Sequence, residues 1–287
     1  MRNIRLIAES ELPAAWRAAE SAKPENERIC FDPLAKDFLS MNPILRKIIL
    51  WYGGRLMPGT FPALAARTAY FDDYLRKCID DGIKQVVNLG AGFDSRAYRF
   101  EELKEKVKVF EVDHPNAQKV KMEKVKKIFS SLPDHVVYVS IDFENQKLDE
   151  RLFESGYDKN LKTLFIWEGV TYYIMPEAVD ITLAFVAKNS GEGSSIIFDY
   201  VFQSVLDGTC GVAEVNRARK AYERIGTPLT SEHPRFGVGE GTIEGFLSER
   251  GFYQVVNITG DNFESAYSKG ATQNKKLWST VYAMVKP

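Results

Sequence analysis

The chain has 287 residues, with 38 Lys and Arg against 39 Asp and Glu, a formal charge of -1 that gives it no global field for holding a nucleic-acid backbone or an anionic membrane. A chain of this length suits one large core with embellishments. Its three cysteines, Cys30, Cys78 and Cys210, are widely spaced and match neither a disulfide framework nor a zinc-ligand pattern.

The opening stretch MRNIRLIAESELPAAW has a short apolar patch broken by charge, less than the roughly 7–15 residues of a secretion-signal core. No apolar run approaches the roughly 20 residues that span a bilayer. These features predict a soluble, cytoplasmic protein. Residues 10–81 are mostly helical in pattern: Ser10 reads as an N-cap ahead of ELPAAWRAAESAK, and ALAARTAYFDDYLRKCIDDG sets Leu64, Ala65, Thr68, Phe71, Leu75 and Ile79 near one face until Gly82 stops it.

From Val86 the pattern alternates. Strands are predicted at Val86–Leu89, Val107–Val112, Val136–Ser140, Thr163–Trp167 and Ser195–Tyr200. Helices fall between them, from about Ser95, over Pro115–Phe129, near Gln146–Ser155 and over Pro176–Lys188. Strands joined by helical crossovers build a parallel, doubly wound sheet. After Tyr200 the rhythm breaks: QSVLDGTCGVAEVNRARKAYERIGTPLTSEHPRFGVGEG is helical in its middle, rich in turn residues at its end, and reads as a cap. A helix at about Thr242–Glu249 and strands Tyr253–Ile258 and Trp278–Val285 follow. With no crossover helix between them, the last two strands can pair antiparallel and leave a mixed edge.

In VVNLGAGFD, Gly90, Ala91 and Gly92 follow the first strand at the edge where open α/β sheets place their ligands. Glycine lets the chain turn sharply there and lets a ligand approach the backbone. The dinucleotide fingerprint G-x-G-x-x-G would need glycine where Ser95 stands, and Asp94 would repel a pyrophosphate. A phosphate-free nucleoside carrying a cation removes the conflict. S-adenosylmethionine has an adenosine, a sulfonium and an α-amino group, and Asp94 is suited to pair with the ammonium directly or through water.

Further along, VKVFEVDHP ends the second strand with Asp113, a bidentate acceptor for ribose hydroxyls; Glu111, inside the strand, is assigned to packing or a local bond. YVSIDFE brings Asp142 and Phe143 to the same rim, an acid for the adenine amino group and a ring to cover the purine. LFIWEGVTYYI ends the fourth strand at Glu168, either a cofactor contact or a structural cap. A phenol or alcohol acceptor would need a base, a carboxylate would not. The candidates are Tyr172, Tyr173, His114 and His233, with Arg235 suited to an anionic acceptor; no catalytic residue and no metal ligand is assigned. The lysines of KVKMEKVKK fit a solvated helix face rather than a nucleic-acid patch.

In order, RTAYFDDYL, VVNLGAGFDSRAYR, FEVDHP, SIDF, WEGVTYYI and FGVGEGTIEGFLSERGF resemble the S-adenosylmethionine-dependent methyltransferases of the leucine carboxyl methyltransferase and polyketide O-methyltransferase family, over nearly the whole chain. The resemblance implies an α/β, class I methyltransferase (Rossmann-like) fold: a seven-stranded mixed sheet with its final strand antiparallel, in one domain. Its parts would be an N-terminal helical extension over residues 1–82, a cofactor-binding core over 83–200, a cap insertion over 201–240 and C-terminal strands within 241–287. It also implies Arg67 on the methionine carboxylate, Gly90, Ala91 and Gly92 beside methionine and ribose, Asp113 on the ribose, Asp142 and Phe143 on the adenine, and Glu168 at the methionine end. The family's protein-phosphatase branch has a basic residue ahead of its DP motif. In AKPENERICFDPLA neither Lys23 nor Arg28 aligns with it, which brings the small-molecule branch nearer. The expected activity is methyl transfer to a hydroxyl or carboxyl group of a small molecule. Carboxyl methylation of a protein C-terminus and a non-catalytic cofactor-binding module are the alternatives, and neither nucleic acid nor membrane is an expected partner.

Overall fold

The computed structural model describes residues 2–56, 59–142, 146–211, 234–259, 267 and 277–287, with backbone only at 2–9 and 56. Each apolar run bounded by turn residues becomes a strand. β1 (Gln85–Leu89), β2 (Lys108–Asp113), β3 (Val136–Ser140), β4 (Thr163–Trp167) and β5 (Ser195–Val201) are parallel. With β6 (Phe252–Ile258) and β7 (Trp278–Val285) they form a seven-stranded sheet of order β3-β2-β1-β4-β5-β7-β6. β7 runs antiparallel to both β5 and β6, which is the mixed edge read from the sequence. β1, β4 and β5 are buried along their whole length, as central strands covered on both faces must be.

Alternate strand residues point to opposite faces, and each face has its own core. Val87, Leu89, Phe110, Phe165, Trp167 and Phe198 pack with α7 (Leu148–Glu154), α8 (Pro176–Lys188) and α10 (Ile243–Ser248). Val86, Val109, Leu164, Ile166 and Ile197 pack with α1 (Arg2–Ser21), α3 (Thr60–Asp80), α4 (Arg96–Arg99), α5 (Glu101–Lys106) and α6 (Pro115–Phe129). α2 (Pro43–Leu56) lies between α1 and α3 in the chain, and α9 (Gln203–Leu206) follows β5.

Two local expectations are corrected. Ser10 is not an N-cap: α1 begins at Arg2 and carries Pro13 in its interior. Arg, Leu, Ile, Ala and Glu ahead of Ser10 are good helix formers, and buried Ala14, Ala15 and Arg17 hold the segment beyond the proline against the fold. α3 is not one-faced either, since Arg67 and Asp72 are buried along with Ala63, Ala66, Phe71 and Leu75. It stops near Gly82, whose φ of 80° suits glycine. The helical middle predicted for the cap falls on residues 212–233, outside the described residues. On either side of that segment, Phe202 and Val238 form a parallel bridge. No helix among the described residues is long and apolar enough to cross a membrane.

Candidate active site

Strand register determines what meets at the sheet's carboxyl edge. Leu89 pairs with Val112, Asn88 with Ile166, and Trp167 with Phe198, so the next residues, Gly90, Asp113, Glu168 and Asp199, stand in one row. Gly90 has a φ of 70°, and a Cβ there would lie 2.5 Å from Val170 Cγ2; only glycine fits. The N–H groups of Gly90 and Ala91 donate to Val112 O at 2.8 and 3.1 Å, which folds the turn over the end of β2.

Asp113 is oriented by backbone. Gly92 N–H donates to its Oδ2 and His114 N–H to its Oδ1, each at 2.6 Å. Burial raises its pKa against the pull of those two N–H groups and of Lys121. An ionised carboxylate has about four lone-pair sites, so acceptor capacity remains for a ligand. The His114 ring accepts from Asn116 N at 3.3 Å and caps α6, the turn position its place before Pro115 suggests. Beneath the glycine turn, fully buried Lys121 donates to Ala91 O at 3.3 Å and to Glu111 Oε1 at 2.7 Å. Glu111 Oε2 accepts from Tyr98 at 2.9 Å, which is the local bonding expected of an acid inside a strand.

A continuous ion-pair network borders this row. Arg67 reaches from α3 to Glu168 Oε1 at 3.1 Å and to Asp199 Oδ2 at 2.5 Å, while Asp199 Oδ1 accepts from Gly169 N at 2.6 Å. Glu168 Oε2 takes Arg96 Nη1 at 2.7 Å, and the same guanidinium meets Asp94 Oδ2 at 2.6 Å and Asp72 Oδ1 at 2.7 Å. Arg99 adds a fork on Asp72 at 2.6 and 2.7 Å. Arg17, from α1, pairs with Asp32 at 2.9 Å and donates to Phe93 O at 2.6 Å, tying the helical extension to the glycine turn. A buried charge is tolerated only when paired in this way. Burial opposes the charged forms of Asp94 and Glu168, but guanidiniums outweigh it and hold both carboxyls below their ordinary pKa range. For Asp199 burial prevails over Arg67, and its pKa is raised.

Gly90, Ala91, Gly92, Asp113 and Glu168 therefore gather at one edge, and Arg67 and Asp94 join them through the network. Within the chain, Asp94 Oδ1 accepts Arg96 N at 2.7 Å and its Oδ2 the Arg96 side chain, which locks the start of α4. Asp142, half-buried after β3, takes Gln146 Oε1 on its backbone N–H at 3.0 Å. Phe143 and His233 lie outside the described residues. Tyr172 and Tyr173 sit in a 3-10 turn with ring centroids 4.5 Å apart, and exposed Arg235 is tied to that turn by its N–H, 2.7 Å from Tyr172 O. Asp199, Arg96, Asp72 and Arg17 are missing from the sequence reading, and Lys121 corrects it: assigned with the other lysines of KVKMEKVKK to a solvated helix face, it is fully buried, its ammonium paired with Glu111 and Ala91 O. Asp199 had a signal, as the lone acid inside SIIFDYV; the pairing of Arg17 with Asp32 had none.

The donor set fits S-adenosylmethionine. Asp32, Asp72, Asp94, Glu168 and Asp199 face Arg17, Arg67, Arg96 and Arg99, and Asp113 adds a further carboxyl in the same row, so acids outnumber guanidiniums. A zwitterionic methionine bearing a sulfonium carries one positive charge over, whereas a pyrophosphate would add to the excess.

The leucine carboxyl methyltransferase family matches residues 10–187, from α1 through the glycine turn, Asp113 and Glu168 to the end of α8. The chain belongs to this family. It is 30% identical to "Putative S-adenosyl-L-methionine-dependent methyltransferase YktD" of Bacillus subtilis (strain 168), over 77% of this chain and 71% of that protein. It is likewise 30% identical to a protein of the same description from Mycolicibacterium gilvum (strain PYR-GCK), over 69% of this chain and 64% of that one. In fold it is similar to the crystal structure of a "putative methyltransferase from Thermobifida fusca YX", with a TM-score of 0.60 and 14% identity over 96% of this chain and 94% of the other. A DUF574 family protein from Streptomyces avermitilis MA-4680 aligns at a TM-score of 0.56 and 15% identity, over 96% and 97% of the two chains. The leucine carboxyl methyltransferase family member is thus an S-adenosylmethionine-dependent methyltransferase with a class I α/β fold.

Proposed function

We propose that the enzyme methylates an oxygen that arrives ionised, the carboxylate or acidic hydroxyl of a small molecule. The observation that carries this reading is the junction at Tyr172. Its carbonyl holds Arg235 at the rim, four residues past Glu168. Burial, reinforced by Asp199 and Tyr173, pushes the Tyr172 hydroxyl well above the ordinary phenol range. A phenol held protonated is no base at neutral pH, and an ionised acceptor needs none. Arg235, exposed and held beside Tyr172 through its backbone N–H, is the guanidinium that would favour such an acceptor.

When bound, the cofactor would supply a methyl group from its sulfonium to an acceptor oxygen in line, the O–C bond forming as the C–S bond breaks and the neutral thioether S-adenosylhomocysteine leaving. The chain's own residues bind and orient. Asp113 would take the ribose hydroxyls with its remaining lone pairs, and Asp142 the adenine amino group. Gly90, Ala91 and Gly92 let the ligand approach the backbone. An arginine has five N–H donors; Arg67 gives two to Glu168 and Asp199 and would meet the methionine carboxylate with those that remain. Glu168, clasped by Arg67 and Arg96, stays ionised beside the methionine end. Alignment of this kind supplies much of the rate of a displacement.

The test is transfer of labelled methyl groups to a panel of small carboxylic acids, acidic phenols, neutral alcohols and peptides with free C-termini. Label is expected on the acids and acidic phenols. Transfer to peptide C-termini alone, or cofactor binding without transfer to any acceptor, would replace this reading with protein carboxyl methylation or with a non-catalytic binding module.

A further inference from the structure

The outer face of α2 has no part in the site. Among the described residues, ten large hydrophobic side chains are exposed, and five of them, Ile44, Leu45, Ile48, Trp51 and Tyr52, lie on this one helix at 48–71% exposure. The rest are spread over the chain, at Phe31, Phe153, Leu161, Met175 and Ile181. At about 100° per residue, Ile44, Ile48, Trp51, Tyr52 and Arg55 share one side. Gly53 and Gly54 occupy the inner side, where a Cβ on either would lie 3.2 or 3.5 Å from the Phe61 ring. The helix thus meets the Phe61 ring of α3 through its glycines, half-buries Ile49 and Leu50, and turns Ile44, Leu45, Ile48, Trp51 and Tyr52 outward, an apolar outer face unlike that of an ordinary surface helix.

The charges on α2 have one sign. Arg46, Lys47 and Arg55 are its charged residues, with no acid in PILRKIILWYGGRL, although the whole chain carries -1. Lys47 and Arg55 are exposed, and Arg55 lies over the Trp51 ring at 5.1 Å. We propose that this face seats on the surface of an anionic phospholipid bilayer. Ile44, Leu45 and Ile48 enter the acyl boundary, Trp51 and Tyr52 sit at headgroup depth, and Lys47 and Arg55 meet the lipid phosphates. A second copy of the chain is a poorer occupant, because a two-fold contact sets the same cationic patch against itself. The near-neutral net charge that argues against membrane binding conceals this local patch. α2 leads through Gly59, with a φ of 81°, into α3, the helix that carries Arg67.

Co-sedimentation of the full chain with phosphatidylcholine vesicles, with and without about one third phosphatidylglycerol, tests the proposal without cofactor or acceptor. Binding to the anionic vesicles is expected, weakened by salt and reduced about five-fold for each basic residue removed at the surface. Lys47→Glu with Arg55→Glu should then abolish sedimentation, and Ile48→Asp should reduce it while circular dichroism stays unchanged. Equal binding to neutral and anionic vesicles, indifference to the charge variants, or a concentration-dependent dimer that Ile48→Asp dissolves without any vesicle binding would overturn it.

Discussion

Asp113 and Glu168 stand on either side of β1 at the same level of the sheet, and their surroundings give them different tasks. Glu168 spends its oxygens on Arg67 and Arg96, whereas Asp113 accepts from two backbone N–H groups and has no ion-pair partner among the described residues. The first is an electrostatic clasp and the second an acceptor held ready. Asp94 belongs with the clasps, and its depressed pKa gives a pH signature. Its folded pKa lies below the ordinary value of about 3.9. The stability it adds is therefore complete above that pH and is lost as pH falls through the folded pKa. Replacing it with its neutral isostere, Asp94→Asn, should cost about 1.5–3 kcal/mol at neutral pH. By denaturant unfolding, that difference should stay constant down to about pH 4 and shrink below it. A difference that fades between pH 7 and pH 5 would contradict the assignment.

Among the elements, what was legible in the sequence follows from how local the signal is. β3, β4, β7, α6 and α8 begin and end where expected, because apolar runs punctuated by turns and helices led by Pro115 and Pro176 carry their own boundaries. α1 misled because Ser10 and Pro13 imitate a helix start inside a segment that tertiary packing keeps helical. The site divides in the same way. Gly90, Asp113 and Glu168 abut strand ends and were visible, while Arg67 and Asp199 meet across 132 positions and Lys121 reaches Glu111 from a different element. No local pattern reveals such partners. The Lys121–Glu111 pair supports a prediction of its own. Lys121→Met strands a buried carboxylate and should cost about 3–5 kcal/mol, whereas adding Glu111→Gln should recover most of it, since replacing both partners is often nearly neutral. Strictly additive losses in chemical denaturation would mean that the pair does not brace the glycine turn.

For the molecule as a whole, the helices ahead of β1 lie against the glycine turn, joined to it by the Arg17 bond to Phe93 O. Arg17 and Arg67 from the extension close the network that starts at the strand ends. In that network the carboxylates outnumber the guanidiniums by one. The most direct test is calorimetric titration of the wild-type chain and of Asp113→Ala with the demethylated product S-adenosylhomocysteine. Measurable binding by the wild type is predicted. In the variant, affinity should fall about 30- to 100-fold, as for loss of charge-assisted hydrogen bonds, with the circular-dichroism spectrum of the folded chain retained, while the orphaned Gly92 and His114 N–H groups lower the unliganded thermal midpoint. Equal affinity in both proteins, or no binding by the wild type at millimolar ligand, would contradict the account.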